Sequence, residues 1–122
     1  MRTLSTLFVV MLILGFTGIA IGAQNEETAK SWQEQATSTR EAVMKVYGEL
    51  EKTGDKDNPV VKELIADAVA QLGEGDKHLK QGDEAMAKEE WEKANFGYNM
   101  AWQYYVKAAT AGLNAKSILA GQ

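Results

Sequence analysis

The 122-residue sequence predicts an all-α protein, an up-down-up antiparallel three-helix bundle preceded by an N-terminal hydrophobic helix. From residue 26 onward, apolar residues recur at alternating steps of three and four, which is the spacing of one buried helix face. No stretch of useful length alternates apolar and polar residues, so no β-sheet is expected. Two short polar connections separate three such stretches, and short connections place consecutive helices antiparallel. The length allows one compact domain.

Residues 1–23 have the organisation of a secretory signal peptide. Arg2 provides the basic start, residues 7–21 are uncharged, and Gly22 and Ala23 are small residues suited to a cleavage site. The apolar run counted from Leu4 to Ile21 has about 18 residues, near the minimum for a membrane span, so an uncleaved anchor is the alternative. The predicted domains are therefore residues 1–23, a signal peptide or membrane anchor, and residues 24–122, the helical bundle.

Helix one is predicted over residues 26–52. Its buried face is expected to consist of Ala29, Trp32, Ala36, Thr39, Val43, Val46 and Leu50. Gly54 follows as a helix stop, and Asn58 with Pro59 forms a strong start signal, since asparagine caps helices and proline suits the first helical position.

Helix two is predicted over residues 59–81, ending at Gln81-Gly82-Asp83. Its buried face is expected to consist of Val61, Ile65, Ala68, Leu72, Gly75 and Leu79. A glycine inside a helix costs about 1 kcal/mol relative to alanine, so Gly73 and Gly75 need a reason. Gly75 lies on the buried face, where the missing side chain lets Trp91 or another aromatic approach closely; the alternative is a kink or break near Leu72.

Helix three is predicted over residues 83–120, and its density of charged residues changes along its length. Charges crowd residues 83–93, whereas beyond residue 93 only Lys107 and Lys116 are charged, and apolar side chains surround the helix. A helix apolar on all sides must be covered on more than one side. With roughly 38 residues against roughly 23 in helix two, helix three would overhang by about twenty ångströms. The alternative is that Gly112 ends the helix and residues 114–119 fold back as a short fourth helix.

The uncharged half of helix three is the predicted partner-binding surface, because aromatic residues and methionine are enriched and charges depleted at interface cores. The residues expected to contact a homodimer partner or another envelope protein are Phe96, Met100, Trp102, Tyr104, Val106, Leu113 and Ile118.

The order Gly75, Leu79, Gly82-Asp83, Ala87, Trp91 and Ala94 resembles one tetratricopeptide helix pair. This part of the chain is also similar to small exported proteins of unknown function that contain a helical hairpin rich in alanine and tyrosine. The resemblance implies a hairpin for binding or scaffolding, and it assigns no site residues.

Composition excludes several chemistries. The chain has no cysteine and a single histidine, His78, which excludes thiolate metal sites and histidine pairs. A net charge of −4 with no basic patch disfavours nucleic acid as a partner. No combination of serine, histidine and acid suggests an active site, so no enzyme activity and no cofactor are predicted.

The sequence thus predicts an exported, periplasmic or otherwise extracytoplasmic, non-enzymatic helical protein that binds a protein partner or a second copy of itself. One alternative is an accessory subunit of an envelope complex, anchored in the inner membrane by residues 4–21. Another is a b-type haem or metal carrier of the helical-bundle class, with His78 and one of Met44, Met86 or Met100 as axial ligands.

Overall fold

The computed structural model describes residues 25–53 and 58–121, and within these residues it contains three α-helices and no strand. They are α1 (Glu26–Thr53), α2 (Pro59–Ala87) and α3 (Trp91–Ala120). The predicted all-helical class is therefore confirmed. The predicted signal peptide or anchor, residues 1–23, lies outside the described residues, and no described helix is long and apolar enough to cross a membrane.

The starts of α1 and α2 are both fixed by asparagine. Asn25 Oδ1 accepts from the Thr28 amide at 2.9 Å while Thr28 Oγ1 accepts from the Asn25 amide at 3.2 Å, a reciprocal capping arrangement. Asn58 Oδ1 accepts from the amides of Val60 and Val61, and Pro59 follows it at the first helical position. The Asn58-Pro59 start signal is confirmed, and α1 ends one residue later than predicted.

The boundary between α2 and α3 differs from the prediction. α2 continues through Gly82 and Asp83 to Ala87, and α3 begins at Trp91. The predicted end of helix two at residue 81 and the predicted start of helix three at residue 83 are therefore wrong. The turn is formed instead by Lys88, Glu89 and Glu90. The Glu90 amide donates to the Ala85 carbonyl at 2.9 Å, and the Glu89 amide donates to the Met86 carbonyl at 3.1 Å, which is the Schellman pattern.

The three helices have nearly equal lengths of 28, 29 and 30 residues. The predicted overhang of helix three is therefore wrong, because residues 82–87, which were expected in the turn or in helix three, belong to α2. α2 does not break near Leu72, and α3 does not break at Gly112 but continues to Ala120, so no short fourth helix forms among the described residues.

The third helix lies at the centre of the bundle. It packs along its whole length against both α1 and α2, whereas the backbones of α1 and α2 come close to each other at few positions. Contacts of α1 with α2 run in opposite directions along the chain, as in Gln33 to Asp83 and Arg40 to Asp76. Contacts of α1 with α3 run in the same direction, from Thr28 and Asn95 at one end to Glu49 and Lys116 at the other. The order is up, down, up.

The core follows the predicted helix faces. All of the predicted α1 residues are buried except Trp32, which is half-buried. Of the predicted α2 face, Val61, Ala68 and Gly75 are buried, whereas Ile65, Leu72 and Leu79 are half-buried. Tyr98 and Tyr105 of α3 are fully buried. Three clusters succeed one another along the bundle, built largely from alanine on α3 facing larger side chains on its neighbours. Small residues on the central helix let two other helices approach it at once, which explains its alanine content.

Candidate functional site

Three of the seven predicted partner-binding residues, all half-buried, pack against the core of the bundle. Trp102 packs against the middle core cluster and its ring lies 5.9 Å from that of Trp32, tilted by 60°. Leu113 and Ile118 pack against buried residues that include Val46. The apolar side chains all round α3 are thus largely explained by its central position, since α1 and α2 cover two of its sides.

The remaining predicted residues divide between two sides of α3. The Tyr104 ring stacks on His78 of α2, with centroids 5.4 Å apart and planes 6° from parallel. Phe96 is 65% exposed, and Met100 and Val106 are half-buried on the side of α3 that faces neither α1 nor α2. The structure therefore does not bring the seven residues into one surface, although Phe96, Met100 and Val106 remain together on the open side.

The open side of α3 forms a surface that we call the outer strip. Its exposed residues follow one another at steps of seven, four, three, four and three, which keeps them on one side of the helix. They are Phe96, Gln103, Lys107, Thr110, Asn114 and Ser117. Between Phe96 and Ser117, Lys107 is the one exposed charged side chain that the structure describes, so the strip is uncharged for most of its length.

A second feature lies on the opposite side of the molecule, between α1 and α2. Here Asp76 accepts from Arg40 Nε at 2.7 Å and Arg40 Nη2 at 3.2 Å, and from the Tyr105 hydroxyl at 2.5 Å. These three residues, the Arg40 cluster, join all three helices. The guanidinium binds the carboxylate through two nitrogens, which is the strongest geometry for such a pair.

The same arrangement repeats one heptad away. Asp83 Oδ1 accepts from Gln33 Nε2 at 3.0 Å and from the Tyr98 hydroxyl at 2.5 Å, so Gln33 takes the position of Arg40. In both clusters the tyrosine ring lies against a glycine that precedes the aspartate. A Cβ on Gly82 would lie 2.6 Å from Tyr98 Cδ1, closer than real Cβ atoms approach a neighbour.

The charges in the Arg40 cluster reinforce one another. The hydrogen bond from Arg40, followed by that from Tyr105, lowers the pKa of Asp76, and the same carboxylate raises the pKa of Arg40. Burial, and then the hydrogen bond to Asp76, raise the pKa of Tyr105. The pKa of Tyr98 is raised in the same way by burial and by Asp83. At neutral pH, Asp76 and Arg40 are therefore charged, and Tyr98 and Tyr105 are neutral. This indicates that the two clusters hold the helices together.

A groove of about 460 Å³ lies above these clusters, lined by Thr37, Arg40, Glu41, Asp76, Leu79, Lys80 and Asp83. Its charged groups are of both signs, and Arg40 and Asp76, both in its lining, form an ion pair. Asp76 is held in its ionised state by Arg40 and Tyr105, so these charges of the lining are already engaged within the bundle.

No observation in the described residues favours the haem or metal alternative. His78 lies with one ring face on Tyr104, and its Nδ1 atom is buried without a hydrogen-bond partner. Within residues 25–53 and 58–121, no group of three histidine, aspartate or glutamate side chains could hold a metal ion.

Sequence reasoning predicted the role of Gly75 but not the two clusters. The aromatic residue at Gly75 is Tyr105, so it is the other aromatic that the prediction allowed and not Trp91. Because Gly82-Asp83 was interpreted as a turn, the Gly-Asp repeat was not recognised. The dipeptide occurs at positions 75–76 and 82–83, seven residues apart. That repeat, matched by tyrosines seven residues apart on α3, was the available signal.

Comparison with known proteins identifies no relative: no family model, curated protein or solved structure matches this chain.

Proposed function

We propose that this protein is an exported, non-enzymatic interaction module and that its contact surface is the outer strip of α3. The proposed surface is smaller than the one expected from the sequence. Trp102, Leu113 and Ile118 pack against the core of the bundle, whereas Phe96, Met100 and Val106 remain available.

The observation that carries the proposal is the combination of one exposed aromatic with a nearly uncharged surface. Phe96 is 65% exposed, the highest value among the large apolar side chains that the structure describes as exposed. Beyond Glu92 and Lys93, which lie one turn before Phe96, the exposed side chains that follow it on the strip are uncharged as far as Lys107. Such a surface loses little hydration free energy on binding, which is the property of interface cores.

The extracytoplasmic location is supported by the basic, apolar and small-residue order of residues 1–23. N-terminal sequencing of the protein from its own cells separates a cleaved chain from the alternative of a membrane-anchored subunit. A mature chain that begins at Gln24 contradicts the anchor, and an intact N-terminus in the membrane fraction contradicts cleavage.

The contact surface is tested by replacing Phe96 with a photo-crosslinking amino acid in the native cell. We expect a covalent adduct from position 96 on illumination. The matched control is Val69, which is 52% exposed and lies on the face of α2 that carries Asp76, away from the strip. Equal labelling from both positions, or none from position 96, contradicts the proposal.

A further inference from the structure

The N-terminal half of the outer strip, together with Glu92, Asn99 and Val106 beside it, has the pattern of a second helix-packing face. Starting from Glu92, residues on the open side of α3 recur at alternating steps of four and three through Phe96, Asn99, Gln103 and Val106. This is the spacing by which one helix packs along another. The other two sides of α3 are already occupied by α1 and α2, so this face is the one at which a further helix could lie.

The charges on this face are symmetric about its midpoint. Glu92 and Lys107 are both exposed and lie at equal distances on either side of residues 99 and 100. Among the described residues neither one takes part in a salt bridge, and the Lys107 ammonium lies 5.0 Å from the centre of the Tyr104 ring. Two antiparallel copies of α3 centred at 99–100 would therefore place Lys107 of each beside Glu92 of the other.

The same centre brings the apolar residues together. Phe96 and Gln103 are also equally distant from it, so Phe96 of one copy would pack beside Gln103 and Met100 of the other. Asn99 and Gln103 already form a hydrogen bond of 2.6 Å within the chain, which orders the amides at the midpoint. Other registers are less favourable, because an axis at Lys107 would oppose two ammonium groups.

We propose that the chain forms a symmetric homodimer through antiparallel packing of two α3 helices centred on Asn99 and Met100. The inference rests on the proposed function, because it names the partner of the outer strip as a second copy of this chain. A single helix pair about 22 Å long buries a small area, which places the dimer among weak, reversible assemblies.

The test uses charge reversal, with the chain in the form that the cell produces. Sedimentation equilibrium of the unaltered protein is expected to show a concentration-dependent dimer. Lys107→Glu and Glu92→Lys each replace both ion pairs by like-charge contacts, and each should raise the dimer dissociation constant by at least about tenfold. Lys62→Glu, at an exposed position near the start of α2, makes the same charge change away from the strip and should leave the constant unchanged.

Mixing the two variants supplies the deciding measurement. In a mixed dimer, both contacts between position 107 of one chain and position 92 of the other again join an acidic to a basic side chain. The mixture should therefore associate about as tightly as the unaltered protein, although each variant alone does not. A monomer at all concentrations, or variants whose mixture does not associate, overturns the dimer.

Helix content by circular dichroism checks that each variant is folded, so that a loss of association is not a loss of structure. Failure of the proposed function is distinguishable from failure of the dimer, because in that case position 96 would crosslink to no protein of any mass.

Discussion

At the scale of single residues, two glycines two positions apart have opposite roles. A Cβ on Gly75 would lie 2.6 Å from Tyr105 Cδ1, whereas a Cβ on Gly73 would have nothing within 4 Å. The Tyr105 ring is fully buried and its hydroxyl is held by Asp76, so it has no space into which to move. Gly75 is therefore required by a contact, and Gly73 is not.

We expect Gly75→Ala to lower the free energy of unfolding by about 1–3 kcal/mol, because overpacking forces the tyrosine or the backbone to shift. Gly73→Ala should raise it by up to about 1 kcal/mol, because alanine loses less conformational entropy in a helix. Urea unfolding at neutral pH measures both, and a change of the same sign in the two variants contradicts this explanation.

The sequence predicted the α1 start, the Asn58 cap and the buried faces because each depends on residues close together in the chain. The two polar clusters could not be predicted in the same way. The pairing of Asp76 with Arg40 rather than with a neighbouring lysine depends on how α1 lies against α2, and this follows from packing against α3. The composition of the outer strip was visible in the sequence, but its separation from Trp102 and Tyr104 required the position of both neighbouring helices.

At the scale of helices, the end of α2 shows why its boundary was misplaced. A glycine normally occupies the left-handed position after a helix, and Gly82 looked like that residue. In the structure Gly82 is helical and Glu89 occupies the left-handed position, with φ of 59°. Glycine at 82 allows close approach, since a Cβ there would lie 2.6 Å from Tyr98 Cδ1. The facing Gly97 is close for the same reason, because its Cβ would lie 2.8 Å from the Gly82 amide nitrogen.

Glu89→Gly should therefore raise the free energy of unfolding by about 1 kcal/mol, because a left-handed conformation costs a residue with a side chain roughly that much. Lys88→Gly is the matched control, since Lys88 has φ of −93° and glycine gains nothing there. Thermal unfolding compares them. If Glu89→Gly is no more stable than Lys88→Gly, the left-handed turn is not the cause.

At the scale of the whole molecule, α3 holds the bundle together while α1 and α2 are joined mainly by side chains. Arg40 to Asp76, Gln33 to Asp83 and the 2.8 Å bond from the Tyr47 hydroxyl to the Ile65 carbonyl bridge the two outer helices. The Arg40 bond to Asp76 couples the contact between α1 and α2 to pH.

Stability should fall in acid partly through Asp76. Its pKa is lowered in the folded state, so its contribution is present above the unfolded carboxyl pKa and is lost as pH falls through the folded pKa. Asp76→Asn should be less stable than the unaltered protein at neutral pH, and the difference should shrink as the pH falls to about 3. Urea unfolding over this range checks it, with the exposed Asp67→Asn as control. A difference independent of pH would show that the ion pair does not act as described.

The three nearly equal helices of residues 25–53 and 58–121 have a geometric consequence. Because α1 and α3 run in the same direction, Asn25 and Gly121 lie at opposite ends of a rod roughly 40–45 Å long, as follows from 28 to 30 residues at about 1.5 Å each. Two probes attached at these residues would therefore report the length of the bundle, and whatever is joined to one end is held at that distance from the other.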